Sequence, residues 1–239
     1  MPLNQTNNCF KYKQFEARLI LWAVRWYSMF AISYRDLVIM AAERGLSLAH
    51  TTMMRWVHQY SPELAKKVKW HLKTSSDSYR VDETYVKVKG VWKYLYRAVD
   101  SNGDTLDWML SAKRNKNAAK RFFKKTLRNL HCRSPRKINV DKAKAYPSAF
   151  EELQNSGELQ PQVKLQQQKY MNNIVEQDHR FIKRRIRQSQ WFQSFNTAKK
   201  TIDGYEAMHM LMKGQVKQIA ANNTLARMKF INNLFGVAA

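Results

Sequence analysis

The sequence predicts a mixed α/β chain: a helix-turn-helix domain at the N-terminus, then a domain with a central mixed β-sheet flanked by helices, then a C-terminal helix. Three observations predict it. Apolar residues recur at helical intervals through the first sixty positions. The period then shortens to that of strands over residues 79–111, with turn residues between the runs. Beyond that, helical and strand-like segments alternate, so strands and helices share one domain. A chain of 239 residues has room for more than one core. The expected boundaries are 1–74, 75–190 and 191–239.

Phe15, Leu19, Trp22, Ala23, Trp26 and Phe30 lie at helical spacing, so a first helix within residues 10–30 is expected to turn this aromatic stripe to the core. Ser33 opens a second helix with Asp36 as its capping-box partner, and Gly45 stands where a left-handed residue ends it. A third helix begins at His50 (HTTMMRWVHQY) and is expected to stop at Ser61 and Pro62, because proline removes a backbone donor and clashes with the preceding turn. Helix, Gly-containing turn, helix is the outline of a helix-turn-helix, whose second member meets bases and phosphates with its first residues. His50, Thr51, Thr52 and Arg55 are those side chains, with Ser33, Tyr34 and Arg35 at the start of the preceding helix. A plain three-helix bundle is the structural alternative.

Residues 61–78 are polar and basic, which suits a helical spacer and then a loop. YRVDETYVKV, VWKYLYRAVD and TLDWMLS follow as three strands, joined by Lys89 and Gly90 and by a turn containing Asn102 and Gly103. Residues 116–130 read as a helix. Ile138, Asn139, Val140 and Asp141 form a short buried-type strand ending in an acid, and residues 146–154 are helical. A Gln-rich connection has room for one edge strand. Residues 172–187, NNIVEQDHRFIKRRIR, form an amphipathic helix in which Glu176, Arg180, Lys183 and Arg187 share one stripe. After the aromatic link QWFQSF, Asn196 and Thr197 are expected to cap a helix through Lys213, with Gly214 past its end.

With 42 Lys and Arg against 18 Asp and Glu, the formal charge is +24. Self-repulsion on that scale suits a polyanionic partner, and nucleic acid is the first candidate. The run LILWAV ends at Arg25, far short of the roughly 18 residues a membrane span needs. No signal peptide opens the chain, so an intracellular protein is expected. Cys9 and Cys132 are too few for a disulfide framework and form no CxxC pair. Only seven glycines are present, with no Gly-rich phosphate loop, no GxSxG and no HExxH.

Three strands, a helix and a fourth strand let the first and fourth strands lie side by side. Asp82 and Asp141 would then be neighbours, with Glu176 descending over them from its helix. Carboxylates so grouped could hold two divalent cations, which activate a water or hydroxyl and stabilise the leaving oxygen in phosphodiester displacement. Spacing alone leaves another reading open, in which Asp82, Glu83, Asp100 and Asp104 are strand-end charges in water. Strand alternation puts Asp82 and Glu83 on opposite faces but does not rank them.

The segments DETYVKV, KYLYRAVDS, INVDKAKAY, KYMNNIVEQDHRFIKRR and TAKKTIDGYEAM, in this order, resemble the DDE transposases of the IS6 group of insertion sequences. Thirty-four residues separate Asp141 from Glu176, and Lys183 stands seven positions after the glutamate. The resemblance implies an RNase H-like catalytic domain with Asp82, Asp141 and Glu176 as its metal-binding catalytic acids and two Mg²⁺ ions, replaceable by Mn²⁺. Arg180, Lys183, Arg184 and Arg187 would follow the DNA backbone. It further implies binding to the terminal inverted repeats of the element, 3′-end nicking and strand transfer with a cointegrate outcome, action on double-stranded DNA as a homodimer or larger assembly, and a place in the prokaryotic cytoplasm with the nucleoid. The chain departs from the group at Met53, Met54 and Lys144, and in the LQQQ run before Tyr170. Two rivals remain at this level: a helix-turn-helix regulator whose second domain only oligomerises, and an RNase H-like nuclease without strand transfer.

Overall fold

The computed structural model describes residues 9–11, 13–168, 173–188 and 192–238. Tyr12, residues 169–172 at the head of the KYMNN motif, and Gln190 and Trp191 of the aromatic link lie outside them. In chain order the elements are α1 (Ala17–Met29), α2 (Tyr34–Ala42), α3 (His50–Lys69), β1 (Ser78–Val88), β2 (Val91–Asp100), β3 (Thr105–Ser111), α4 (Lys116–Leu127), β4 (Lys137–Asn139), α5 (Ala145–Asn155), β5 (Lys164–Gln166), α6 (Asn173–Gln188), α7 (Phe195–Met212) and α8 (Thr224–Leu234). They form two compact units that part between Leu72 and Lys73 and again between Lys183 and Arg184, with Phe192 and Gln193 belonging to the second.

The first unit contains α1, α2, α3, α7 and α8. Residues assigned from sequence to a separate C-terminal extension thus share a unit with the N-terminal helices. The physical reason is a close helix approach at Gly204, where a Cβ would lie 2.5 Å from Ser61 Oγ and 2.7 Å from Ser28 Oγ. α2 opens as its sequence indicates: Ser33 Oγ accepts the Asp36 N–H, and Asp36 accepts the Ser33 N–H at 2.6 Å. Gly45 then takes φ +72°.

Three local expectations are corrected here. α3 does not stop at Ser61 and Pro62 but continues to Lys69, because Ser61, Leu64, Ala65 and Val68 prolong its buried stripe beyond the proline, and packing outweighs the lost backbone bond. In α1 the buried residues are Ile20, Leu21, Ala23, Val24, Tyr27, Ser28 and Met29, whereas Trp22 and Trp26 are half-buried and Phe30 is exposed. The run LILWAV is apolar around most of the helix, so periodicity could not choose its face. Finally, α7 is capped by Ser194, whose hydroxyl accepts the Thr197 N–H, rather than by Asn196 and Thr197.

The second unit is built on a five-stranded mixed sheet in the order β3-β2-β1-β4-β5. β1, β2 and β3 form an antiparallel meander, while β4 runs parallel to β1, and β5 parallel to β4. Three meandering strands followed by two parallel ones, with helices on both faces, is the RNase H-like arrangement. Tyr79, Val81, Tyr96, Ala98 and Ile138 pack on one face against Phe122 and Phe123 of α4 and Ala149, Phe150 and Leu153 of α5. The other face receives α6. There Arg97 pairs with Asp178 at 2.6 Å, both side chains buried. At the β2–β3 turn the buried Asp100 accepts the N–H groups of Ser76, Asn102 and Asp104. It is therefore a turn organiser and not a strand-end charge in water.

Candidate active site

β1 outruns its neighbour. β4 pairs only with Ser78, Tyr79 and Arg80, so from Val81 onward one edge of β1 stands above the end of β4. This is the position, just beyond the carboxyl end of a parallel strand, where open α/β sheets hold their chemistry. Asp82 lies on that edge, and Asp141 lies two residues past the end of β4. Asn139 sets the exit of β4, donating to Gln168 O at 3.1 Å and accepting the Gln168 N–H at 3.3 Å. Asp141 Oδ1 in turn accepts the Ala143 N–H at 2.9 Å.

One donor oxygen each from Asp82, Glu83 and Asp141 come within 4.8 Å of one another. Asp82 and Glu83 leave β1 on opposite faces, as alternation requires. Asp82 turns toward α6, where His179 Nδ1 is 3.9 Å from it. Glu83 turns toward α5, accepts a hydrogen bond from the Tyr146 hydroxyl and pairs with Arg114 Nε. Arg114 bridges the two sides of this cluster, since its Nη2 also donates to Asp141 Oδ2 at 3.1 Å. Glu176 is exposed in the first turn of α6, near enough for its charge to act on Asp82.

Burial, with the charges of Glu83, Asp141 and Glu176 added, pushes the Asp82 carboxyl up to about 7. Burial also raises Glu83, partly offset by the Tyr146 hydroxyl. His179 is driven down to about 3 by burial and by Arg97 and Lys183, so it is neutral and its approach to Asp82 is not an ion pair. The site is thus a set of hard carboxylate oxygens crowded together, with Arg114 on Glu83 and Asp141 and none of its contacts on Asp82. Such a donor set fits a divalent ion that prefers oxygen ligands.

Glu83 is the residue that strand alternation left unranked beside Asp82. Tyr146, sixty-three residues away, gave no signal of pairing with it. Arg97 and Asp178 were likewise unmarked, although their contact holds α6, and hence Glu176, over the sheet.

The residues expected to meet DNA divide into two groups. Arg35, His50, Thr51 and Arg55 are exposed and Thr52 half-buried around the starts of α2 and α3, and Arg180, Lys183, Arg184 and Arg187 are exposed on α6. Ser33 and Tyr34, also expected to meet DNA, are half-buried and make contacts within the first unit. The Ser33 hydroxyl caps α2, and the Tyr34 ring stacks on Tyr27 at 4.1 Å. Arg185, next in sequence to Arg184, is buried and donates to the carbonyls of Ser28, at 3.0 Å, and Met29.

A family model described as a DDE domain, that of IS240-type transposases, matches residues 76–215. The chain is 39% identical over 206 residues to a transposase for the insertion sequence-like element IS431mec of Staphylococcus aureus, covering 86% of this chain and 89% of the relative. The same identity and coverage hold for the transposase of IS257 in transposon Tn4003 from the same species. Among solved structures, the HTLV-2 integrase catalytic core in complex with magnesium is 20% identical over 46% of this chain and 68% of that one, with a TM-score of 0.38.

Proposed function

Since the chain belongs to the DDE transposases of the IS6 type, polynucleotidyl transferases of insertion sequences, we propose that it binds its element's terminal inverted repeats, nicks their 3′ ends and joins them to target DNA. The observation that carries this reading is the meeting of Asp82 on β1 with Asp141 just past the end of β4, its parallel neighbour, with donor oxygens within 4.8 Å. Glu83 is engaged by both Tyr146 and Arg114, whereas of these two Asp141 shares only Arg114, through one oxygen, which favours Asp82 and Asp141, with Glu176, whose charge reaches Asp82, as the third metal-holding acid. Two Mg²⁺ ions, or Mn²⁺ in their place, would supply Lewis acidity at the attacking and leaving oxygens. In the first reaction water adds to the phosphorus and the bond to O3′ breaks, freeing a 3′-hydroxyl. In the second that hydroxyl attacks a target phosphodiester and releases a target 3′-hydroxyl, so phosphodiester bonds are conserved.

The remaining residues bind and orient. Arg35, His50, Thr51, Thr52 and Arg55 would read and hold the inverted repeat. Arg180, Lys183, Arg184 and Arg187 would lie along phosphates near the cut, giving binding that weakens steeply as salt rises. The cointegrate outcome and action as a homodimer or larger assembly on nucleoid DNA in the cytoplasm belong to the same proposal. Among the described residues no helix is long and apolar enough to cross a membrane.

The test is a strand-transfer assay on labelled element ends, with and without Mg²⁺. Asp82→Asn, Asp141→Asn and Glu176→Gln should each abolish nicking and joining while end binding survives, because the proposal assigns ligation to the sheet unit and base contact to the helical one. If Glu83→Gln abolished the chemistry and Glu176→Gln did not, the third acid would be Glu83. Cutting by Asp141→Asn at the wild-type rate would overturn the proposal.

A further inference from the structure

The hairpin of β1 and β2 extends past the acids and carries an aromatic ledge that the reading above does not use. Lys87 stands opposite Trp92, Tyr85 opposite Tyr94 and Glu83 opposite Tyr96, so these pairs share the face of Glu83. Tyr96 is buried beneath α4, but toward the hairpin tip the rings come into solvent: Tyr85 is 51% and Trp92 55% exposed. Exposed aromatics of this size, grouped together, mark a binding surface more often than single ones do. The rings hold one another in place, Tyr85 lying 5.4 Å from Tyr94 and edge-on to Trp92 at 6.2 Å. Lys87 sits over the Trp92 ring at 5.6 Å. At the inner end of the ledge, Tyr85 lies within electrostatic reach of Arg114, which is bound to Glu83 and Asp141.

Rigid, exposed rings interleaved with cations, on a hairpin whose only charges beyond Glu83 are lysines, are the combination that binds unpaired nucleotides. Bases stack on the rings, and phosphates follow the cations. A fully paired duplex offers no ring face to such a ledge, since its bases are stacked on one another. We propose that Tyr85, Trp92 and Tyr94 form a stacking platform for one or more unpaired bases of the DNA strand next to the scissile phosphate, with Lys87 and Arg114 meeting its backbone. The inference rests on reading the acids as the nicking centre, since that is what brings a strand end to this side of the sheet. The charge of the hairpin favours DNA over a second copy of this chain, which carries the same net +24.

The test uses the full chain without metal ion, so the outcome does not depend on whether the acids cut. Fluorescence anisotropy compares fluorescein-labelled oligo-dT with an abasic oligonucleotide of equal length, which keeps the phosphates and lacks the bases. The wild-type chain should prefer oligo-dT. Trp92→Ala and Tyr85→Ala should each lower that preference, by about fivefold or more where a stacked base is lost, and Trp92→Phe should restore most of it. Circular dichroism checks that each variant is folded, and because both rings are exposed, Tyr85→Leu provides a second fold-preserving substitution. An unchanged preference in the Ala variants would overturn the platform. So would sedimentation showing that Trp92→Ala splits an oligomer while the preference stays the same, since the ledge would then be a subunit contact.

Discussion

In the helical unit the buried cations Arg185 and Arg227 end on backbone carbonyls, the first on Ser28 and Met29 at the close of α1 and the second on Ala221. In the sheet unit, half-buried carboxylates stand beside other carboxylates, and Asp82 is raised by burial and by three acidic neighbours. A cation over the last carbonyls of a helix, as Arg185 is over those of α1, satisfies groups that would otherwise be orphaned and complements the helix dipole. Crowded acids do the opposite. They lower stability, and such strain is concentrated where chemistry requires it. The comparison teaches that the helical unit is arranged for packing and presentation, while the sheet unit carries an electrostatic burden that a bound cation relieves.

The largest way to break that comparison is at the buried Arg97–Asp178 pair that docks α6. Arg97→Ala or Asp178→Ala should destabilise the sheet unit by about 3–5 kcal/mol, because each removes one member of a buried ion pair. Urea unfolding followed by circular dichroism measures this; a loss below about 1 kcal/mol would mean that water already reaches the pair. In the helical unit, Gly204→Ala should cost about 1–3 kcal/mol by forcing a methyl group against Ser61 and Ser28. A neutral result would show that the helices separate freely there.

The electrostatic burden of the acids can be read by pH. A carboxyl raised from 3.8 to about 7 keeps its proton in the folded chain where the unfolded chain has released it. Its contribution to the stability of the metal-free protein is therefore present at low pH and lost as pH rises through about 7. Cation binding has the opposite sign, because the ion displaces that proton. Calorimetric Mn²⁺ affinity should rise with pH up to about 7 by as much as about tenfold per unit, and then level off. A flat profile would mean that Asp82 is ionised throughout. The smallest effect belongs to the helical unit, where Ser33→Ala should lower its stability by about 1 kcal/mol through loss of the α2 cap, as measured by thermal unfolding.

Much of the fold was legible because local chemistry wrote it. The β-β-β-α-β-α-β-α order followed from period and turn residues, and the Ser33–Asp36 box, the Gly45 stop and the turn at Asn102 and Gly103 are signals that act within a few residues. Errors came where the chain's own pattern was degenerate or overruled. LILWAV is apolar on nearly every side, so the buried face of α1 was set by its partners. Pro62 is a local stop signal, yet continued burial of Leu64, Ala65 and Val68 carried α3 through it. At the site, the separation of Asp82 and Asp141 in sequence could be bridged by reasoning about strand order. The engagement of Glu83 by Tyr146 and Arg114 could not, since no spacing rule links residues sixty-three positions apart.

By itself, then, the sequence determined the alternation of elements, the net charge that calls for a polyanion and the order of motifs that resembles the family, because each of these is a property of composition or of neighbours along the chain. Tertiary structure alone decided which face of α1 is buried, that α7 and α8 join the N-terminal helices, that Arg97 and Asp178 hold α6 in place, and that Glu83 and Arg114 share the acidic cluster. Those outcomes depend on which distant surfaces meet, and the free energy of a buried contact belongs to both partners at once.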